Sequence, residues 1–296
     1  MKRLLALVFC LLMAASTALA NTYKPLSWKR ERSPFVPKQE NYLPDLSGYH
    51  DGSLDIRIEH ITYAEIPVTL AYVQLVDPTQ FRTALVGKFP SKQMQQIYNI
   101  TPRLNAVLAI NGDWFIGHND GIVYRNGVRL RFRPNSGRDT LIIDQNGDLR
   151  ILKPTPSFGW HGEAEAEVWW ENYLAETGIK PIHVFCFGPG LIVDGQLYED
   201  FSDCHLDVAP AYPNKRLGIG QLGPLNYVIA MCEGPEVGER RGITMPDLAR
   251  LFYELGCYNA YNLDGGNSAN IVLNNTKLAR QSREIPDIIW FATLER

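Results

Sequence analysis

Turn signals cut this chain into short apolar runs, and that punctuation restricts its fold more than any other feature. Asn126-Gly127, Asn146-Gly147 and Asp194-Gly195 each sit between two runs of strand length, the two-residue spacing that favours a tight β-hairpin. Leu54, Ile56 and Ile58 alternate with charged residues, the period of a half-buried strand. Similar reasoning predicts strands over 69–75 and 81–86, separated by the Asp77-Pro78 turn, and over 106–110, 121–124, 128–133, 140–144 and 149–152. Two more flank Asp194-Gly195, and three follow at 218–221, 227–231 and 257–263. Helices are few. Ser91 is placed to cap a short one through Asn99, and 163–177 carries acids in its first turn with Gly178 beyond its end. The clearest helix runs over 245–255, with Thr244 and Asp247 as a capping pair, Gly256 as its stop and Leu248, Leu251, Phe252 and Leu255 as its apolar stripe. Strands outnumber helices and many are joined by hairpins. The expected fold is therefore a single α+β domain of mixed, largely antiparallel sheets with a few flanking helices.

Both ends of this pattern matter for where the protein works. Lys2-Arg3, an apolar stretch from Leu4 to Ala15 and the small residues Ala18-Leu19-Ala20 read as a signal peptide over 1–20, cleaved before Asn21. That predicts a secreted or periplasmic protein, and no later segment reaches transmembrane length. Residues 21–50, rich in Pro, Lys and Arg, read as an N-terminal arm packed on the domain or as a loose linker, ahead of one domain over 51–296. A net charge of −3 argues against nucleic acid as a partner, and a phosphate-bearing substrate would have to be held by a few local cations. Beyond the leader stand Cys186, Cys204, Cys232 and Cys257. In an oxidising compartment they allow Cys232–Cys257 and Cys186–Cys204 disulfides, with a buried free thiol at Cys257 as the alternative. No Cys or His metal spacing is present. Asp and Asn at glycine turns leave a divalent cation open, and the residues demand no cofactor.

Chemistry concentrates at two strand ends, Ala109-Ile-Asn111-Gly112-Asp113-Trp114-Phe115 and Asn262-Leu-Asp264-Gly265-Gly266-Asn267-Ser268. In each, an apolar run breaks into a glycine turn that carries a carboxylate. Glycine lets main-chain N–H groups turn toward a ligand, and the sheet holds the carboxylate rigid. One such turn is commonplace; two, with Phe187-Gly-Pro-Gly-Leu-Ile-Val-Asp-Gly195 and Asn214-Lys-Arg216-Leu-Gly-Ile-Gly220 between them, are not.

Taken with Gly121-Ile-Val-Tyr-Arg125-Asn-Gly127, these motifs resemble in order those of the phosphodiester glycosidase domain, from about Tyr49 to the C-terminus. The resemblance implies hydrolysis of a glycosyl-1-phosphodiester, with an amino sugar such as N-acetylglucosamine in a glycan as the expected sugar. The leaving group there is a phosphate monoester whose further protonation has a pKa of about 6. Such a site needs a cation on the phosphate more than a general acid. Arg216, with its fork of donors, fits that role, and the glycines after it leave room for a ligand. A carboxylate must activate water or stabilise oxocarbenium-like charge. Asp264 is the first choice, Asp113 the second and Glu233 a third, with the division of acid and base between them open. Asn111, Gly112, Gly265, Gly266, Ser268, Arg125 and His118 complete the expected substrate contacts, and Trp114, Phe115 and Trp160 are either sugar platforms or core. Two departures, Asn267 for a glycine and Ala269 for a serine, remove a ligand hydroxyl from the expected site. They leave open an alternative: a noncatalytic envelope protein that binds a phosphorylated glycan in the same cleft.

Overall fold

The computed structural model of the chain describes residues 23–134, 137–153, 163–206, 208–234, 242–278 and 283–295. The expected signal peptide and Trp160 lie outside the described residues. Within them the strands form three sheets around one core, and every strand pairing is antiparallel. The first sheet orders β1 (Gly48–His50), β2 (Leu54–Tyr63), β3 (Ile66–Leu75), β14 (Asn226–Cys232), β13 (Arg216–Gly223), β15 (Asn259–Leu263), β11 (Gly190–Val193) and β12 (Gln196–Leu197). The second orders β7 (Val128–Arg133), β6 (Gly121–Arg125), β10 (Pro181–Phe185), β8 (Thr140–Asp144) and β9 (Leu149–Leu152). The third orders β17 (Thr276–Lys277), β16 (Ile271–Leu273), β5 (Leu108–Asn111), β18 (Asp287–Phe291) and β4 (Phe81–Leu85).

Period-two alternation explains how three sheets share an interior. On β14, Tyr227, Ile229 and Met231 point into the common core, while Val228, Ala230 and Cys232 point outward. The core also takes Ile289 and Phe291 of β18 and Leu141 and Ile143 of β8. Each outer face is then covered by one helix. Leu248, Leu251 and Phe252 of α3 (Met245–Glu254) close the first sheet, and burial of each such side chain contributes about 1.5–3 kcal/mol. Trp170 of α2 (Glu163–Thr177) packs on Tyr124, Ile142 and Val184 of the second. Ile97, Ile100 and Leu104 of α1 (Ile97–Leu104) cover the third, with Leu26 of the N-terminal arm beside them.

Four expectations change. The helix near Ser91 starts at Ile97 instead, because Ile97, Ile100, Thr101 and Leu104 make the buried face; Gln95 meanwhile pairs its backbone with Ile285. Asn105 ends that helix in the left-handed region, φ 60°. The glycines after Arg216 do not make room for a ligand: a Cβ on Gly218 would lie 2.6 Å from the Phe252 ring, and one on Gly220 2.5 Å from the Cys257 sulfur. They let α3 pack close. The disulfides do not form, and Cys186, Cys204, Cys232 and Cys257 are buried free thiols. Cys232 pairs with Arg216, whereas the Cys257 sulfur sits at Gly220, four residues along β13. At ~3.3 Å per residue that is roughly 13 Å, beyond the reach of a disulfide. The Cys186 sulfur lies 3.6 Å from the Thr140 hydroxyl instead. Finally, Ala269 is fully buried in the central core, so the serine it replaces marks no ligand contact in this chain.

Candidate active site

Register sets the first two residues side by side. Leu217 of β13 pairs with Leu263 of β15, so Arg216 and Asp264, one step outward on each, emerge as neighbours. Both line a cavity of about 280 Å³, whose walls also include Trp114, Arg138, Phe187, Asn262, Gly265, Gly266, Asn267 and Arg283. Gly265 has no alternative there, since a Cβ would lie 2.7 Å from the Lys215 carbonyl oxygen. The Gly266 N–H donates to that same carbonyl at 2.7 Å, which folds the turn back against β13.

Asp264 is the cavity's carboxylate. Burial raises its pKa to about 6, against the lowering effects of a hydrogen bond from Ser268 and the charge of Arg283. Arg283 reaches Asp264 Oδ2 at 3.5 Å and Ser268 Oγ at 2.7 Å, and its guanidinium lies 4.0 Å from the centroid of the Trp114 ring. Trp114 thus carries an arginine on its face. Arg216 is buried and spends Nε and one terminal nitrogen on the carbonyls of Ile243 and Tyr212, both at 3.0 Å. Among the described residues no carboxylate pairs with it. Burial lowers its pKa to about 10, so it stays charged at neutral pH.

Behind the cavity wall lies a second layer. Asn111 brackets the two glycine turns: its amide donates to the Asp264 carbonyl at 2.9 Å, and its side-chain oxygen accepts from the Asn270 N–H at 2.9 Å. Arg125 donates to Asp113 Oδ1 at 2.6 Å and to Asp287 Oδ2 at 2.7 and 3.1 Å. Its remaining nitrogen binds the carbonyls of Tyr124 and Val184 at 3.0 and 2.7 Å. Asp113 also accepts from the Cys186 N–H. Burial pushes the Asp287 carboxyl well above the usual carboxylate range, with Arg125 opposing. Gly112 has to be glycine, because a Cβ there would lie 2.4 Å from Asp287 Oδ2.

The structure therefore gathers Asp264, Arg216, Gly265 and Gly266 at the cavity and places Asn111, Gly112, Asp113, Arg125 and Ser268 behind them. Glu233 and His118 do not line it. Glu233 pairs with Lys215 Nζ at 3.5 Å. His118 borders a separate hollow of about 540 Å³ with Asp120 and Arg133. Phe115 is buried beside Phe89, as core. Four residues at or behind the cavity lie outside the sequence expectations: Asp287, Arg138, Asn262 and Arg283. Asn262 was quoted only as part of its motif, and Asp287 opens an apolar run that carries no turn signal. Among the described residues no group of three or more His, Cys, Asp and Glu could hold a metal ion, and the Arg125 guanidinium lies between Asp113 and Asp287.

Known proteins bear on the same residues. The phosphodiester glycosidase family matches residues 104–292, a span that contains both glycine turns, Arg125 and Arg216. The chain belongs to that family. A curated relative, the SPbeta prophage-derived uncharacterized protein YomE of Bacillus subtilis strain 168, is 23% identical over 202 residues. That match takes in 66% of this chain, which spans only 27% of the relative's length. Among solved structures, the zebrafish N-acetylglucosamine-1-phosphodiester alpha-N-acetylglucosaminidase catalytic domain, auto-inhibited by its pro-peptide, superposes with a TM-score of 0.60 at 17% identity, over 82% of this chain and 83% of that one. A hypothetical protein from Synechocystis gives 0.56 at 14% identity, over 80% of this chain and 62% of that one. At such identities the likeness is one of fold. The family is one of phosphodiester glycosidases, which are hydrolases.

Proposed function

We propose that this protein is a secreted or periplasmic hydrolase that cleaves a glycosyl-1-phosphodiester at the anomeric carbon, with an amino sugar such as N-acetylglucosamine as the glycosyl group. The observation that carries this reading is the composition of one small cavity: a single buried carboxylate, Asp264, among the guanidinium groups of Arg216, Arg138 and Arg283. That charge pattern suits a transition state with positive charge on the sugar and negative charge on a departing phosphate.

Each residue then has a task. Arg216 donates to the phosphate oxygens, and its hold tightens as the anomeric C–O bond breaks and the electron pair moves to phosphate. Because the leaving phosphate monoester is stable as an anion, no strong proton donor has to act on it. Asp264, ionised above about pH 6, faces the sugar, where it stabilises oxocarbenium-like charge or takes the proton of the attacking water. Asn111 fixes the main chain at Asp264, and the Arg125 cluster supports that bracket from beneath. Asp113 is held by Arg125 and acts through position and charge, not as the acid or base in contact with substrate.

The test is release of free sugar from a methyl phosphodiester of N-acetylglucosamine by the protein without residues 1–20. Asp264→Asn should reduce turnover by about 10³-fold or more while the melting temperature stays level or rises, since the amide removes a buried charge. Wild-type activity in that variant would discard the assignment. No free sugar from the wild type, together with tight binding of the intact diester, would favour the noncatalytic glycan binder.

A further inference from the structure

A larger hollow lies away from this site. It measures about 1010 Å³, more than three times the catalytic cavity at about 280 Å³, and the two share no lining residue. The N-terminal arm forms most of it. Its lining carries Lys24, Arg30, Arg32, Lys38 and Arg82 against a single acid, Glu40. A chain of net charge −3 thus concentrates four excess positive charges in one hollow.

Arg82 stands at its base and is 1% exposed. One terminal nitrogen donates to the Thr79 carbonyl at 3.2 Å, and the other donates to the carbonyls of Ser27 and Arg30, which tie down the arm. Its guanidinium lies 5.4 Å from the ring centroids of Trp28 and Trp290. Nε has no hydrogen-bond partner, and among the described residues no carboxylate pairs with this buried cation. Burial lowers its pKa to about 10, so the charge persists at neutral pH. A buried cation held by carbonyl dipoles and two tryptophan rings, with no carboxylate among the described residues, favours an anion nearby, and the hollow is where one fits.

We propose that this cavity is a second binding site, which takes a strand of anionic polysaccharide. Its volume exceeds what one phosphate group fills, and four surface cations, Lys24, Arg30, Arg32 and Lys38, line it. Several cations in one hollow of this size suit acidic groups repeated along a chain, with Arg82 supplying the fixed charge beneath. Trp290, against Arg82, and Asp287, under the Asp264 cavity, lie on opposite faces of β18, so the two sites are separate and the binding does not rest on the proposed hydrolase reading.

Binding can be read without catalysis. The probe is fluorescein-labelled dextran sulfate, with uncharged dextran and inorganic phosphate as controls, added to the protein without residues 1–20. Wild type should bind dextran sulfate and not dextran, with affinity that falls as salt rises. The triple variant Lys24→Gln/Arg30→Gln/Lys38→Gln should bind at least tenfold more weakly with an unchanged Tm, while Arg216→Gln binds as wild type. Equal binding by wild type and triple variant, or loss only in Arg216→Gln, overturns the proposal. So does displacement of dextran sulfate by inorganic phosphate at equal phosphate and sulfate group concentrations, which would mark a site for single anions. If the hydrolase reading failed, the triple variant would still lose dextran sulfate.

Discussion

Replacing Arg125 with methionine should destabilise the protein in a manner set by pH. The side chain is 3% exposed and makes two contacts with Asp287, one with Asp113 and two with backbone carbonyls. The new thioether chain would still pack on the Phe185 ring, over which the guanidinium now lies at 4.1 Å, so little volume is lost. What remains is two buried carboxylates with no counter-ion. Removing one partner of a buried ion pair typically costs about 3–5 kcal/mol. For a domain of this size that corresponds to a fall in Tm of roughly 6–20 °C. The pH dependence follows from the raised Asp287 pKa, which the substitution raises further. A carboxyl whose folded pKa lies above its unfolded value of about 4 stabilises the fold most at low pH, and that contribution is lost as pH rises through the folded value. The deficit of Arg125→Met should therefore be largest at pH 8 and smallest at pH 5, and Asp287→Asn in the same background should recover part of it. Thermal melts of the wild type and the two variants at three pH values give the answer. A deficit under 2 °C at pH 8, or one that grows on acidification, would refute the account of this cluster.

Three further outcomes are expected. Arg216→Ala should lower kcat on a phosphodiester by about 100-fold, and Arg216→Lys by less, with little change in KM; activity on a neutral aryl glycoside should be low and unaffected by either. Arg283→Gln should move the acid limb of the kcat/KM profile upward from near pH 6 by less than about one unit, because a half-exposed cation at 3.5 Å favours the Asp264 charge only modestly; an unmoved limb would show that Asp264 does not control it. Denatured, unreduced protein lacking residues 1–20 should titrate four thiols, and two or none would restore a disulfide.

Much of the first two sheets was legible where hairpins join neighbouring strands. Alternation marked β2, and Asn126-Gly127 and Asn146-Gly147 placed the hairpins β6–β7 and β8–β9. Thr244 caps α3 as its sequence suggests. Legibility failed where both faces of a strand are buried. In β18, Ile288 and Trp290 face the arm and α1 while Ile289 and Phe291 face the common core, so no alternation survives, and Asp287 went unnoticed with it. β10 escaped for a similar reason, set between β6 and β8. At the site, the glycine turns led to Asp264, which lines the cavity, and to Asn111, which holds the Asp264 main chain. They could not show that Arg125 would claim Asp113, since that pairing depends on contact between two different sheets.

The place of β18 also has consequences for how the protein is made. It lies between β4 and β5, yet the ribosome delivers it roughly 200 residues after β4, as the pairing of Thr83 with Ile289 shows. Until it arrives, two strands wait with open edges, the state most prone to capture by neighbouring chains. A chain shortened before Asp287 should accumulate as aggregates, not as a soluble intermediate.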